Sequence, residues 1–291
     1  MSEVLKVWRK IVRADMDNVS NGRNQQLSLC YAMKLFLVQQ LLRGFSHGNL
    51  NKRLFTIILH RFISKMPAAL YQHALALVAT GQCAAALIPL NRAIILKHLP
   101  SRALLAHMLS GGRKDVPKDH GRAFKLVKEG TELGCRHCQG VLAMCYMLGH
   151  GHFKMDLSTA LDMAQKSSDR GSRYGQCTLG NLYYDCGDRS QRDDKKARQL
   201  FKLSAAQGLD RAQYYSGRIC YSFLDGGKEK MRLFQLAATQ GLSEALLAIG
   251  YCYKHGSEGV ERNLDNAICL FRQAREAGSQ DAKFELSRLG E

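Results

Sequence analysis

Five glycines, Gly134, Gly171, Gly208, Gly241 and Gly278, stand at intervals of 37, 37, 33 and 37 residues. Self-similarity at this period restricts a chain to stacked supersecondary units, because one such unit cannot bury its own apolar face. Four residues after each glycine comes a small or compact residue: Cys138, Gly175, Ala212, Ala245 and Ala282. Nine residues after the first four glycines comes another: Ala143, Gly180, Gly217 and Gly250. Tyr146, Tyr183 and Tyr253 follow at the twelfth position, with Cys220 in the short unit. Small residues at this spacing let a neighbouring helix approach closely. The glycine itself fits the left-handed residue just past a helix end.

The second half of the unit repeats as well. Ala160, Ala197 and Ala267 lie 26 residues after their glycines, and Phe201 and Phe271 four later. Phe234 takes that role in the short unit. Apolar residues at i, i+4 and i+7 or i+8 predict amphipathic helices. Each unit is then a helix pair joined by a polar loop, as in LGHGHFKMD, CGDRSQRDD and KHGSEGVERN, clipped to LDGGKEK in the fourth. Ser101 to Gly134 fits the same register, with Ala106 and Ala123 at the small positions. Ala68 to Lys97 fits a short unit of period 33. The helix Gln280 to Leu289 reads as a terminal cap, with Lys283, Glu285 and Arg288 available to water.

The segments KARQLFKLSAAQGLDRAQ, KMRLFQLAATQGLSEAL and NAICLFRQAREAGSQDAK resemble the Sel-1-like repeat family, relatives of the tetratricopeptide repeat. The resemblance covers residues 65–291, about six units plus a capping helix. It implies an all-α, right-handed superhelical solenoid of antiparallel helix pairs, with residues 1–64 as an N-terminal helical extension or cap. Members of the family usually serve as adaptors or scaffolds, so the chain is expected to be a non-enzymatic protein-interaction module. By analogy with the tetratricopeptide superhelix, the first helix of each unit lines a concave groove. The groove positions are then Tyr174, Asn181, Tyr184, Arg211, Tyr214, Arg218, Tyr221, Tyr251 and Lys254. Arg and Tyr are favoured interface anchors; the alternative is that the tyrosines fill helix contacts and the arginines are solvated. Disulfide-bridged bacterial members carry a regularly paired cysteine in each unit. Here Cys138 and Cys145 are seven apart, Cys177 and Cys186 nine apart, and later units show no repeating pair. That argues against the secreted subgroup and its penicillin-binding activity.

The formal charge is +17, of which residues 1–65 carry +8, residues 66–134 +5 and residues 135–291 +4. A basic surface favours acidic proteins, nucleic acid or anionic lipid. The excess is N-terminal, so binding of nucleic acid or an anionic membrane through that third is the alternative function. Helices are expected near 3–14, 26–44 and 51–65. No run of 18 apolar residues and no secretory signal is visible. The ten cysteines read as free thiols in a reducing, cytoplasmic setting. Residues 4–12 are amphipathic, which keeps a mitochondrial presequence as an alternative, but Glu3, Asp15 and Asp17 speak for a packed helix.

Three further constellations bear on chemistry. Cys135-Arg-His-Cys138, followed by His150 and His152, has a zinc- or redox-like Cys-x2-Cys, but His-x-His misses finger spacing and Cys138 sits on a packing position. Arg113, Lys114, Lys118, Arg189, Arg192, Lys195 and Lys196 lie in or beside loops. They could meet phosphates, yet Asp115, Asp119, Asp193 and Asp194 dilute them and a solvated surface is expected. No phosphate-binding glycine loop, nucleophile elbow or HExxH occurs, so no catalytic residue, cofactor or small-molecule substrate is expected. Partners are expected to be proteins, acidic or peptide-like.

Overall fold

A computed structural model describes residues 66–113, 115–149, 154–185, 192–220 and 227–291. The expected helices at 3–14, 26–44 and 51–65, with Lys114, His150, His152, Arg189 and Tyr221, lie outside the described residues. Thirteen helices are seen among those described, and no strands. They are α1 (Pro67–Ala79), α2 (Cys83–Ile95), α3 (Leu99–Gly111), α4 (His120–Glu132), α5 (Arg136–Leu148), α6 (Leu157–Asp169) and α7 (Arg173–Tyr184). There follow α8 (Asp194–Ala206), α9 (Asp210–Ile219), α10 (Lys228–Thr239), α11 (Ser243–His255), α12 (Leu264–Glu276) and α13 (Gln280–Arg288). The protein is thus an all-α solenoid of helix pairs. Met66–Ala74 with Pro89–His98 belong to one compact unit, and Leu75–Ile88 with Leu99–Glu291 to another.

The periodic glycines do what the spacing predicts. All five have φ between 73° and 90°. The residue after each bonds back to a carbonyl five positions earlier, as in Cys135 N to Gly130 O at 2.9 Å and Ser279 N to Ala274 O at 2.9 Å. This closes the second helix of each pair with a left-handed cap. Thirty-seven residues before Gly134 the same turn is made by Lys97, at φ 61°, with His98 N bonding Ala93 O at 3.0 Å. An L side chain in this region costs about 1–2 kcal/mol.

The helix starts follow a rule beyond the glycine spacing. Asp119, Asp156, Asp193 and Asn263 end their loops, and each side chain accepts the backbone N–H three residues on, at 2.8–2.9 Å. These are N-caps of α4, α6, α8 and α12, each contributing about 1 kcal/mol. The clipped loop lacks one: α10 begins after Gly227 with no side-chain cap.

Packing explains the small positions. An added Cβ at Gly180, Gly217 or Gly250 would lie 2.9, 2.7 or 2.5 Å from a ring carbon of Phe201, Phe234 or Phe271. The ring of the second helix therefore sits on the bare backbone of the first. The first helices are central. In α7 nine consecutive residues, Tyr174 to Leu182, are buried, whereas α8 buries only Ala197, Phe201 and Ser204. Glu285 on the terminal helix is buried too, contrary to the expected exposure. It pairs with Lys254 at 2.5 Å and Arg288 at 3.2 Å.

Candidate functional site

Within the unit formed by Leu75–Ile88 and Leu99–Glu291, the inner faces of distant helix pairs touch. His107 on α3 and Asp210 on α9 are 103 residues apart, and His107 Nε2 lies 2.8 Å from Asp210 Oδ1. Arg113, in the loop after α3, bonds the other oxygen, Asp210 Oδ2. A tight turn aims it inward: Arg113 N donates to Val116 O at 2.7 Å and Val116 N to Arg113 O at 3.0 Å. Gly111 leaves the room, since a Cβ there would stand 2.6 Å from Arg113 Nη1. All three side chains are at most 3% exposed. Arg113 is therefore a buried ion-pair partner and not the solvated surface residue expected from its loop position.

Burial alone would push the Asp210 carboxyl up, but His107 and Arg113 outweigh it and hold the group well below its ordinary range. Burial pushes the His107 imidazole down, past the opposing pull of Asp210. The ring is then neutral, with Nε2–H donating to Asp210; the tautomer follows from the hydrogen bond. Beside this cluster lies a cavity of about 310 Å³, lined by Leu75, Leu104, Arg173, Gln213 and Leu236 among others. Cys83 donates its thiol to Gln240 O at 3.6 Å. Burial raises its pKa, so this thiol is not activated as a nucleophile. The cluster ties α3 and the loop after it to α9.

These contacts decide where the groove candidates stand. Tyr174 is 3% exposed, its ring 5.3 Å from that of His107. Asn181 is buried and donates to the Tyr215 hydroxyl at 3.1 Å. Arg211 turns inward, with Nη1 3.6 Å from Met144 Sδ and Nη2 3.6 Å from Glu244 Oε1. Tyr251 packs edge-on against Phe271 at 5.5 Å, and Lys254 is held by Glu285. Three of the nine positions do converge near the surface. The guanidinium carbon of Arg218 is 5.6 Å from the Tyr184 ring centre and 5.8 Å from that of Tyr214, with Tyr215 also at 5.8 Å. Arg192 covers Tyr184 at 5.1 Å. Tyr215 stacks on Phe201 at 5.0 Å, so the patch rests on the repeat's own aromatic core. Arg218 is exposed, and no carboxylate pairs with it among the described residues. Spacing missed Tyr215, which stands one residue beyond a predicted position.

Cys135 and Cys138 frame the start of α5. Cys135 is the N-cap, its sulfur accepting Cys138 N–H at 3.5 Å. Ser172 and Ser279 cap α7 and α13 at the equivalent position. Among the described residues no group of three His, Cys, Asp or Glu side chains could hold a metal ion.

A family model for the Sel1 repeat matches residues 100–135, 137–172, 173–209, 210–242 and 243–279. The chain belongs to the Sel1 repeat family. The five matched Sel1 repeats run from α3 to the turn after α12, and the helix pair α1–α2 precedes them. Sel1 repeat proteins generally bind other proteins as scaffolds. Among solved structures, the chain is 22% identical to a protective antigen of uropathogenic Escherichia coli, covering 87% of this chain and 56% of that one, with a TM-score of 0.44. A Sel1 repeat protein from Oxalobacter formigenes is 20% identical, over 82% of this chain and 99% of that one, at a TM-score of 0.43. An immunity protein of Pseudomonas aeruginosa is 23% identical, over 65% and 70%, at 0.44. No curated protein matches the chain. No helix among the described residues is long and apolar enough to cross a membrane.

Proposed function

We propose that this Sel1 repeat protein is a non-enzymatic, cytoplasmic adaptor whose Tyr184–Tyr214–Arg218 patch docks an acidic segment of a partner protein. In this reading residues 65–291 form the array and residues 1–64 an extension to it. The observation that carries the proposal is Arg218: an exposed guanidinium bordered by tyrosine rings and lacking a carboxylate partner among the described residues. Aromatic faces orient such a cation, and a guanidinium can meet a carboxylate through two parallel N–H bonds. The buried Asn181 holds the hydroxyl of Tyr215, the ring beside Arg218. Tyr251 and Lys254 stand apart as a second, already satisfied pairing. Free thiols at the eight described cysteines fit a reducing compartment.

The test compares partners captured by the wild type and by Arg218→Ala and Tyr184→Ala, all verified to melt alike. Loss of specific partners by both variants, with weakened capture in high salt, is expected. Identical partner sets for equally folded proteins overturn the assignment. The charge of +8 within residues 1–65 favours a second reading, binding of nucleic acid or anionic membrane by that segment. Removing residues 1–64 then abolishes binding to RNA or acidic vesicles. Binding that survives the deletion refutes it.

A further inference from the structure

We propose that Cys135 and Cys138 form a reversible dithiol–disulfide pair, a redox-sensitive modification site at the junction between the first two matched Sel1 repeats. Position matters first. An N-cap and the third helical residue lie on one helical turn, so their Cα atoms stand about 5–6 Å apart, inside the range a disulfide spans. The Cys135 sulfur already reaches over that turn, accepting from Cys138 N–H at 3.5 Å.

Comparison among the repeats supplies the second argument. The N-cap position is satisfied by Ser172 and Ser279, and the small position by Gly175, Ala212, Ala245 and Ala282. Only the unit beginning at Cys135 has sulfur at both. Its neighbour has made room for that sulfur. Gly130 stands where later units have Ser167, Ser204, Ala237 and Ala274, and a Cβ there would lie 2.3 Å from Cys138 Sγ. Packing alone is met elsewhere by alanine without this concession.

The chemistry is consistent with the placement. Hydrogen bonding from Cys138 to Cys135, ahead of the opposing effect of burial, brings the Cys135 thiol down to about 7, while Cys138 is pushed up. Cys135 is then the attacking thiolate and Cys138 the resolving thiol. With a low-molecular-weight disulfide such as oxidised glutathione, the Cys135 thiolate attacks one sulfur and expels the other half as a thiolate. Cys138 loses its proton and attacks Cys135 Sγ, expelling the second half. One disulfide is reduced to two thiols as the protein loses two hydrogens. Closure takes Cys138 Sγ away from Leu99 O, which it now meets at 3.5 Å, and so loosens α5 from the start of α3.

The experiment equilibrates the full folded chain in a series of glutathione redox buffers. Free and reversibly oxidised thiols are then labelled differently and quantified site by site by mass spectrometry. Equal oxidation of Cys135 and Cys138 is expected, with the oxidised-to-reduced ratio rising tenfold for each tenfold rise in [GSSG]/[GSH]². Cys145, whose thiol burial pushes up to about 11, stays reduced. The repeats themselves suggest variants that fold: Cys135→Ser reproduces the serine cap and Cys138→Ala the alanine packing. In Cys135→Ser, Cys138 stays reduced throughout. In Cys138→Ala, Cys135 stops at a mixed disulfide that follows [GSSG]/[GSH]. The proposal is overturned if both sulfurs remain reduced while the exposed Cys269 is modified, or if Cys138 is oxidised equally in Cys135→Ser.

Discussion

Replacing Asp210 with asparagine isolates the contribution of the inner network. The exchange keeps size and shape, and a carbonyl can still accept from His107 Nε2–H. It removes the only carboxylate bonded to Arg113 among the described residues, where the guanidinium is 1% exposed. It also sets amide hydrogens against guanidinium hydrogens. Leaving one member of a buried ion pair without its partner costs about 3–5 kcal/mol. That is a large share of the roughly 5–15 kcal/mol that holds a domain folded. The location makes the effect more than local, since Asp210 joins α9 to α3 and to the loop following it. Urea unfolding followed by far-UV circular dichroism should show an earlier and broader transition, because the helix pairs separate into weakly coupled groups. Amide exchange should accelerate in both α3 and α9, although only α9 is altered. Arg113→Met on the Asp210→Asn background removes the stranded charge and should recover about 2 kcal/mol or more. If Asp210→Asn unfolds within about 1 kcal/mol of the wild type, or if the two substitutions are simply additive, the network does not couple these elements.

Gly250→Ala would force a methyl group into the edge of Phe271 and should cost about 1–3 kcal/mol by overpacking, read as a fall in Tm. Lys97→Gly relieves a left-handed L residue and should stabilise by about 1 kcal/mol; an unchanged or lower Tm would count against that strain. Burial holds His98 down at about 4 from an ordinary 6.5. The folded state therefore resists the proton that the unfolded chain accepts. The associated stability is intact above about pH 6.5 and is lost as pH falls towards 4, by up to about 3 kcal/mol. Urea midpoints at pH 7 and pH 4.5 should differ less for His98→Gln than for the wild type.

The repeat was legible because it rests on local chemistry. A left-handed turn requires a glycine at Gly134 or Gly171, and an aromatic edge at Phe271 requires a bare Gly250, so both leave marks at fixed intervals. The first unit is harder to see because Lys97 makes the turn without the expected residue. The capping Asp156, Asp193 and Asn263 each stand 22 residues after a periodic glycine and three before the N–H they accept, so they too are marked in the sequence. The groove was read less well. Offsets identify which side of α7 faces inward, but not what else arrives there. Tyr174 and Arg211 are covered because α3 and α9 meet, and that encounter depends on how far the array curves over three units. Arg113 shows the same limit: a loop with charged neighbours looks solvated in sequence, whereas the bridge to Val116 turns its guanidinium inside.

Contact between His107 and Asp210 also places a constraint on length. In an open repeat array, units are added or lost with little penalty, because each touches only its neighbours, and folding can begin anywhere along the chain. Here two complete helix pairs must intervene before the imidazole finds its carboxylate. Duplication or deletion of a 37-residue module between them would leave every nearest-neighbour interface intact and still strand both groups. The copy number of this stretch is thus set by chemistry at its two ends. A loop of roughly a hundred residues must also close before that bond forms, which delays its appearance during folding relative to the local helix pairs.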